Sequence, residues 1–227
     1  MNVQGYQKLT LLDFPGRTAC TVFTGGCNLR CPFCHNAGLV RTPLAGPNLT
    51  DEVLEYLRKR RGILDGVCVT GGEPLLQPDL EDFLRRIKEM GYAVKLDTNG
   101  MLPGRLAGVL ATKLVDYVAM DIKSSPDGYA AATGTDADVS AVKDSLSILR
   151  DSGIPFELRT TAVRGIHTVA DFAAIGRWIA GAKRYFIQAF VDSGDLIGAG
   201  KPLTEPQLQD LLQAVKPFIP DSQLRGV

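Results

Sequence analysis

Three cysteines lie within eight residues of this chain, at Cys27, Cys31 and Cys34, and His35 follows them directly. With a spacing this short, one loop must wrap a compact object and offer it three thiolates, which suit Zn²⁺ or an iron–sulfur cluster. A four-iron cluster has four corners, so three cysteines leave one iron open to bind something else, as in open zinc sites. The spacing therefore favours a catalytic centre.

Two other interpretations of this loop stay open. The segment 31–35, Cys-Pro-Phe-Cys-His, fits the short pattern for covalent attachment of a c-type haem, although no export signal or axial methionine is evident. A structural zinc ion held by the three cysteines and His35 is also geometrically conceivable. The two remaining cysteines, Cys20 and Cys68, lie in apolar, β-branched runs and are predicted to be buried strand residues.

The composition excludes several classes of protein. The 227 residues carry 25 Lys plus Arg against 25 Asp plus Glu, so the net charge of zero argues against binding nucleic acid. No apolar run approaches the roughly 18–20 residues that a membrane span needs. The N-terminus carries charge and proline where a signal peptide would be apolar. We therefore expect a cytoplasmic protein with no membrane partner and with reduced cysteines.

Short apolar runs alternate with amphipathic segments along the chain. Six runs are predicted to be buried strands, at 18–24, 66–70, 92–97, 116–122, 156–163 and 184–190. The periodicity between them predicts helices over 80–90, 142–149 and 172–179, and Thr50 is predicted to cap another. This alternation indicates parallel strands, and six units are too few for a closed eight-stranded barrel. We predict a single α/β domain over 1–227, an open partial (β/α)6 TIM-type barrel, with a doubly wound sheet as second choice.

Unusual residues follow the predicted strands at the end where ligands bind in parallel α/β folds. The cysteine loop follows the first predicted strand, and Gly71-Gly72-Glu73 follows the second. The third strand ends at 97–100, Asp-Thr-Asn-Gly. Further polar residues end the fourth strand or lie on the fifth, namely Asp121, Lys123, Arg159 and Thr161.

The Cys-x3-Cys-x2-Cys pattern, with Phe33 before its last cysteine, resembles that of the radical S-adenosylmethionine (SAM) enzymes. The resemblance implies that Cys27, Cys31 and Cys34 ligate a [4Fe–4S] cluster whose fourth iron binds SAM. Gly71, Gly72 and Glu73 are similar to the family's motif that holds the SAM amino group. No cysteine lies beyond Cys68, so a second cluster is not expected.

The segments 8–16 and 25–36 are similar to activating enzymes for glycyl-radical proteins, most of all those for anaerobic ribonucleoside-triphosphate reductase. In the related pyruvate formate-lyase activating enzyme, counterparts of 97–100 and 121–123 contact SAM and a monovalent cation. The resemblance therefore implies contacts to these cofactors from Asp97, Thr98, Asn99, Asp121 and Lys123. We also expect Arg159 to contact SAM, whereas Lys95 is expected to be solvated or at the barrel mouth. His167 is expected to be a solvated loop residue, and 188–190, Gln-Ala-Phe, lacks the histidine by which that relative contacts SAM.

The resemblance implies reductive cleavage of SAM at the cluster and removal of a hydrogen atom from a glycine of a partner glycyl-radical enzyme. Flavodoxin or ferredoxin is the expected electron donor. One alternative is a radical SAM enzyme that acts on a small molecule, such as a deazapurine precursor. Another is a zinc-stabilised binding protein without redox chemistry.

Overall fold

A computed structural model describes residues 1–40, 46–192 and 194–227, and it contains one eight-stranded sheet. The strands are β1 Val3–Thr10, β2 Ala19–Thr24, β3 Gly66–Gly71, β4 Ala93–Thr98, β5 Tyr117–Asp121, β6 Phe156–Ala162, β7 Tyr185–Ala189 and β8 Gln223–Arg225. Their spatial order follows the chain from β1 to β8. Strand β1 is antiparallel to β2, and every later pair is parallel. The six predicted strands and the α/β partial barrel are confirmed. The doubly wound alternative is wrong, because the strand order never reverses.

One or two helices connect each successive pair of parallel strands from β2 to β8. They are α1 Ala37–Val40, α2 Thr50–Lys59, α3 Leu80–Glu89, α4 Pro103–Ala111, α5 Tyr129–Thr133, α6 Val139–Asp151, α7 Val169–Trp178 and α8 Glu205–Val215, with a 3₁₀ turn at Pro74–Leu76. The three helices predicted from periodicity are confirmed as α3, α6 and α7. Gly91, Gly153 and Gly181, which follow them, adopt positive φ, the conformation that ends helices at little cost for glycine. None of the helices in the described part of the chain is long and apolar enough to cross a membrane.

The prediction for Thr50 was wrong in detail. Thr50 is the first residue of α2, Leu49 occupies the cap position, and no side chain caps the helix. The Thr50 hydroxyl instead donates to the carbonyl oxygen of Met1 at 3.0 Å, which ties the N-terminus to α2. The acidic first turn is present as predicted, at Asp51 and Glu52.

The two end strands were not predicted. Strand β1 is only partly buried and carries polar residues at most positions, so it lacks the apolar run of the other strands. Strand β8 has three residues and is held by Arg225, whose guanidinium donates two hydrogen bonds of 2.8 Å to Glu157. Among the described residues β1 and β8 do not pair with each other, so the barrel is open on that side.

Candidate functional site

A cavity of about 400 Å³ lies at the carboxyl ends of the parallel strands. The sequence-predicted site residues that line it are Cys27, Cys31, Phe33, Cys34, Gly71, Gly72, Asp97, Thr98, Asn99, Asp121, Lys123 and Arg159. The structure therefore brings together twelve residues from the cysteine loop and four neighbouring strands, β3 to β6. Glu73 alone among the predicted site residues is absent from the lining.

The glycine pair after β3 allows the backbone of the cysteine loop to approach closely. The nitrogen of Glu73 donates to the carbonyl oxygen of Gly26 at 2.8 Å. A Cβ atom on Gly72 would lie 2.0 Å from that oxygen, and one on Gly71 would lie 2.3 Å from the nitrogen of Thr24. The pair is thus required by the packing of the chain itself, because no other residue fits at either position.

Helix α5 supports the other side of the cysteine loop. The nitrogen of Arg30 donates to the carbonyl oxygen of Thr133 at 2.9 Å. Gly134 ends α5 with φ at +63°, and a Cβ atom there would lie 2.3 Å from the carbonyl oxygen of Arg30. The loop that carries the cysteines is therefore positioned by a contact that only glycine permits.

We expect Gly134→Ala to lower both protein stability and the iron content after reconstitution. A left-handed alanine costs about 1–2 kcal/mol, and the clash with Arg30 must add to this by shifting the cysteine loop. The matched control is Gly153→Ala, which has φ at +71° but an open space around its Cβ atom. Urea unfolding and iron analysis of both variants test this. Equal losses in the two variants would contradict a role for the Arg30 contact.

Glu73 ties two strand-end loops together beneath the cavity. Its Oε1 accepts hydrogen bonds of 3.0 Å from the nitrogen of Leu75 and the hydroxyl of Thr98. Its Oε2 accepts one of 2.7 Å from the nitrogen of Asn99. Burial raises the pKa of Glu73 to about 7, against the lowering effect of these donors. The carboxylate of Glu73 thus positions Thr98 and Asn99, which line the cavity, and the predicted cofactor contact of Glu73 itself stays a prediction.

Five charged side chains form a continuous chain of contacts on the inner face of β4, β5 and β6. Lys95 contacts Oδ1 of Asp97, and Nη1 of Arg159 lies 3.1 Å from Oδ2 of the same carboxylate. Arg159 also contacts Oδ1 of Asp121 at 2.9 Å, and Nζ of Lys123 lies 2.8 Å from its Oδ2. All four carboxylate oxygens of Asp97 and Asp121 therefore contact side-chain nitrogens. These two carboxylates, with carbonyls near Thr98 and Ala119, are the groups that the resemblance assigns to a monovalent cation.

Lys95 was expected to be solvated or at the barrel mouth, but its side chain is only 1% exposed and does not line the cavity. Its neighbours explain why it remains charged. Burial lowers the pKa of Lys95, but Asp97 outweighs burial and holds that pKa above its usual value. Burial raises the pKa of Asp97, but Arg159 and Lys95 bring it below its usual range. The pKa of Asp121 is likewise lowered by Arg159 and Lys123 despite burial.

His167 is also buried, contrary to the expectation of a solvated loop residue. Its Nδ1 accepts a hydrogen bond of 3.0 Å from the nitrogen of Val163, so its Nε2 donates to the carbonyl oxygen of Lys123, 2.8 Å away. The imidazole packs edge-on against Phe33 at 5.9 Å between ring centroids. Burial lowers the pKa of His167, which keeps this neutral tautomer. His167 thus positions Lys123 and Phe33.

Several residues of the site were not singled out from the sequence. Asn28 accepts a hydrogen bond of 2.8 Å from the side chain of Asn99, and Asn36 donates one of 3.1 Å to the carbonyl oxygen of Gly71. Asp13 lines the cavity and accepts a hydrogen bond of 2.5 Å from the hydroxyl of Thr21. The two asparagines lie in the cysteine loop and Asp13 in the segment before β2, so their place beside the motif is the signal that could have identified them.

The thiols and their surroundings fit a thiolate-bound metal cluster with a ligand beside it. All three cysteines line one cavity, and the nitrogen of Leu29 donates to the sulfur of Cys27 at 3.4 Å. Burial raises the pKa of Cys27, and it raises the pKa of Cys31 to about 11, although nearby Lys123 lowers both. These thiols hold their protons until a metal displaces them. The cavity beside them has room and polar side chains for a zwitterionic ligand.

Comparison with known proteins gives the family. Residues 21–179 match the radical SAM superfamily. A Methanocaldococcus jannaschii protein, provisionally named a glycyl-radical enzyme activating enzyme, is 28% identical over 235 residues, covering 99% of this chain and 96% of that protein. The pyruvate formate-lyase-activating enzyme of Clostridium pasteurianum is 39% identical over 140 residues, covering 58% of this chain and 57% of that enzyme.

A solved structure has the same fold. The radical SAM methyltransferase from Sphaerobacter thermophilus superposes with a TM-score of 0.75 at 15% identity, covering 96% of this chain and 68% of that one. The family match spans most of the chain and includes the cysteine loop, the glycine pair and the charged strand ends around the cavity. This protein is therefore a member of the radical SAM superfamily.

Proposed function

We propose that this protein is a radical SAM oxidoreductase that activates a glycyl-radical enzyme by removing a hydrogen atom from one of its glycines. The observation that carries the proposal is the similarity to an activating enzyme over 99% of this chain, which includes every residue around the cavity. We further propose that the partner is anaerobic ribonucleotide reductase, because of the likeness of segments 8–16 and 25–36 to its activating proteins.

The residues of the cavity have distinct roles in this proposal. Cys27, Cys31 and Cys34 hold a [4Fe–4S] cluster, which together with bound SAM supplies the one-electron reductive cleavage of the SAM sulfonium. SAM would bind against the nine other predicted site residues that line the cavity, namely Phe33, Gly71, Gly72, Asp97, Thr98, Asn99, Asp121, Lys123 and Arg159. These residues orient SAM and exclude water from the reaction. A monovalent cation, the third expected cofactor, would compete with the side-chain nitrogens on Asp97 and Asp121.

The open barrel suits a protein substrate. A glycine within a partner's loop must reach the cavity at the carboxyl ends of the strands, and β1 and β8 do not pair with each other in the described chain, so the barrel is not closed around it. We propose one domain over 1–227, a cytoplasmic location, and flavodoxin or ferredoxin as the electron donor. No nucleic acid or membrane takes part in the proposed reaction.

The test uses the full chain, reconstituted anaerobically with iron and sulfide, reduced, and mixed with SAM and the large subunit of an anaerobic ribonucleotide reductase. We expect release of 5′-deoxyadenosine and a glycyl radical signal in electron paramagnetic resonance. The matched control is the same subunit with its radical-bearing glycine replaced by alanine, for which the signal should be absent.

Two outcomes would overturn the proposal in different ways. Cleavage of SAM without a radical on any glycyl-radical subunit would favour a small-molecule substrate, such as a deazapurine precursor. Failure to bind about four irons per chain, with tight binding of zinc instead, would favour a zinc-stabilised binding protein.

A further inference from the structure

Lys95 is a buried lysine that the proposed reaction does not use. It lies on β4 two residues before Asp97, so both side chains leave the strand on the same face. Asp97 lines the cavity, whereas the ammonium group of Lys95 sits behind it, against Oδ1 of Asp97 and 3.8 Å from the sulfur of Cys68. A lysine is almost never fully buried unless it is paired, and Lys95 is paired with Asp97. What this buried pair does for the site is therefore the question.

The net charge of the five contacting side chains around Asp97 and Asp121 suggests an answer. Lys95, Arg159 and Lys123 contribute three positive charges, and Asp97 and Asp121 contribute two negative ones. The five side chains in direct contact therefore carry a surplus of one positive charge, which Lys95 contributes from behind the cavity lining. Without Lys95 they would be neutral, and Oδ1 of Asp97 would be buried without the ion pair that Lys95 provides. An ammonium group is a compact point charge, as an alkali cation is.

We propose that the ammonium group of Lys95 is a built-in monovalent cation of this site. It neutralises the inner oxygen of Asp97, which leaves the outer oxygen to orient Arg159. The surplus positive charge then lies directly behind the cavity lining, where it attracts the carboxylate of the ligand. Binding of SAM to this protein consequently needs neither K⁺ nor Na⁺. The identity of the ligand rests on the proposed function, but the role of Lys95 at Asp97 does not.

The key variant is Lys95→Met, which keeps an unbranched apolar chain and removes the charge. It opens a space of about the size of an ammonium ion beside a buried carboxylate oxygen, and K⁺ or NH₄⁺ can enter that space. The matched control is the double variant Lys95→Met/Asp97→Asn, which removes both charges of the pair. Replacing both partners of a buried ion pair is commonly tolerated, whereas removing one is not.

The first measurement is urea unfolding of the full chain without cofactors, in choline chloride, KCl or NH₄Cl at equal ionic strength. We expect the wild-type protein and the double variant to be indifferent to the choice of cation. For Lys95→Met, we expect the unfolding equilibrium constant to fall about tenfold when K⁺ or NH₄⁺ is present at ten times its dissociation constant. A merely structural lysine would give a loss of stability that no salt restores.

The second measurement is equilibrium dialysis of SAM against the reconstituted protein in the same salts. Lys95→Met should bind SAM about tenfold more weakly in choline chloride and recover in KCl, whereas wild-type affinity should not change. The proposal is overturned if the wild-type protein depends on K⁺, or if Lys95→Met is unfolded or weakened equally in every salt. Neither readout involves a glycyl-radical partner, so a failure here is distinct from a failure of the proposed function.

Discussion

Cys31→Ala should abolish both the iron–sulfur cluster and the cleavage of SAM. Cys31 is the central cysteine of the loop and is buried, and the nitrogen of Cys34 donates to its carbonyl oxygen at 3.1 Å. Loss of one thiolate leaves only two on this loop, which is too few for a four-iron cluster that already has one open corner. We expect iron after anaerobic reconstitution to fall from about four per chain to a small fraction of one, and 5′-deoxyadenosine to become undetectable.

The matched control for this prediction is Cys20→Ala. Cys20 is as buried as Cys31 but lies on β2, and it is absent from the residues that line the cavity. Its replacement should cost some stability through a small void and leave the iron content unchanged. Iron analysis and the visible absorption spectrum of both variants test this prediction. Retention of four irons by Cys31→Ala, or equal iron loss in Cys20→Ala, would contradict the assignment of the cluster to this loop.

The central part of the fold could be predicted from the sequence, because each buried parallel strand is a short apolar run bounded by an amphipathic helix. The two end strands, β1 and β8, could not be predicted in this way. Strand β1 is an edge strand whose polar residues give it no apolar pattern, and β8 is three residues long and depends on a distant contact between Arg225 and Glu157. Such elements are fixed by tertiary pairing rather than by local composition.

The site was predictable where the chemistry is local and not where it depends on tertiary contacts. The cysteine loop and the strand-end residues meet in one cavity because parallel strands point the same way. The burial of Lys95 and His167 could not be predicted, because it depends on residues distant in the sequence, such as Cys68 beside Lys95, and Lys123 and Phe33 beside His167. The motif predicts a cofactor contact for Glu73, but it could not show that the Glu73 carboxylate accepts hydrogen bonds from the backbone and a hydroxyl group of neighbouring loops. A motif identifies which residues matter but not which atoms they contact.

Arg159→Met should be strongly destabilising, with a pH dependence that identifies the cause. The guanidinium of Arg159 is only 13% exposed and bridges Asp97 and Asp121. Its removal leaves two buried carboxylates with one cationic partner each, and breaking a buried pair in this way costs on the order of 3–5 kcal/mol. Because both carboxyls have lowered pKa values in the folded wild type, they contribute stability above about pH 4 and lose it as the pH falls.

The difference in stability between wild type and Arg159→Met should therefore be largest near pH 7, and it should shrink as the pH falls from the higher pKa values of the two carboxyls in the variant to their lowered values in the wild type. Without Arg159, which is the largest lowering influence on both carboxyls, the pKa values of Asp97 and Asp121 should rise, so both should accept protons at a higher pH than in the wild type. The matched control is Arg58→Met, which removes an exposed pair with Glu55 and should change stability by less than about 0.5 kcal/mol at any pH. Urea unfolding of the wild type and both variants, from pH 7 downwards, tests this prediction. A pH-independent loss in Arg159→Met would mean that the arginine acts through packing of its stem and not through the two carboxylates.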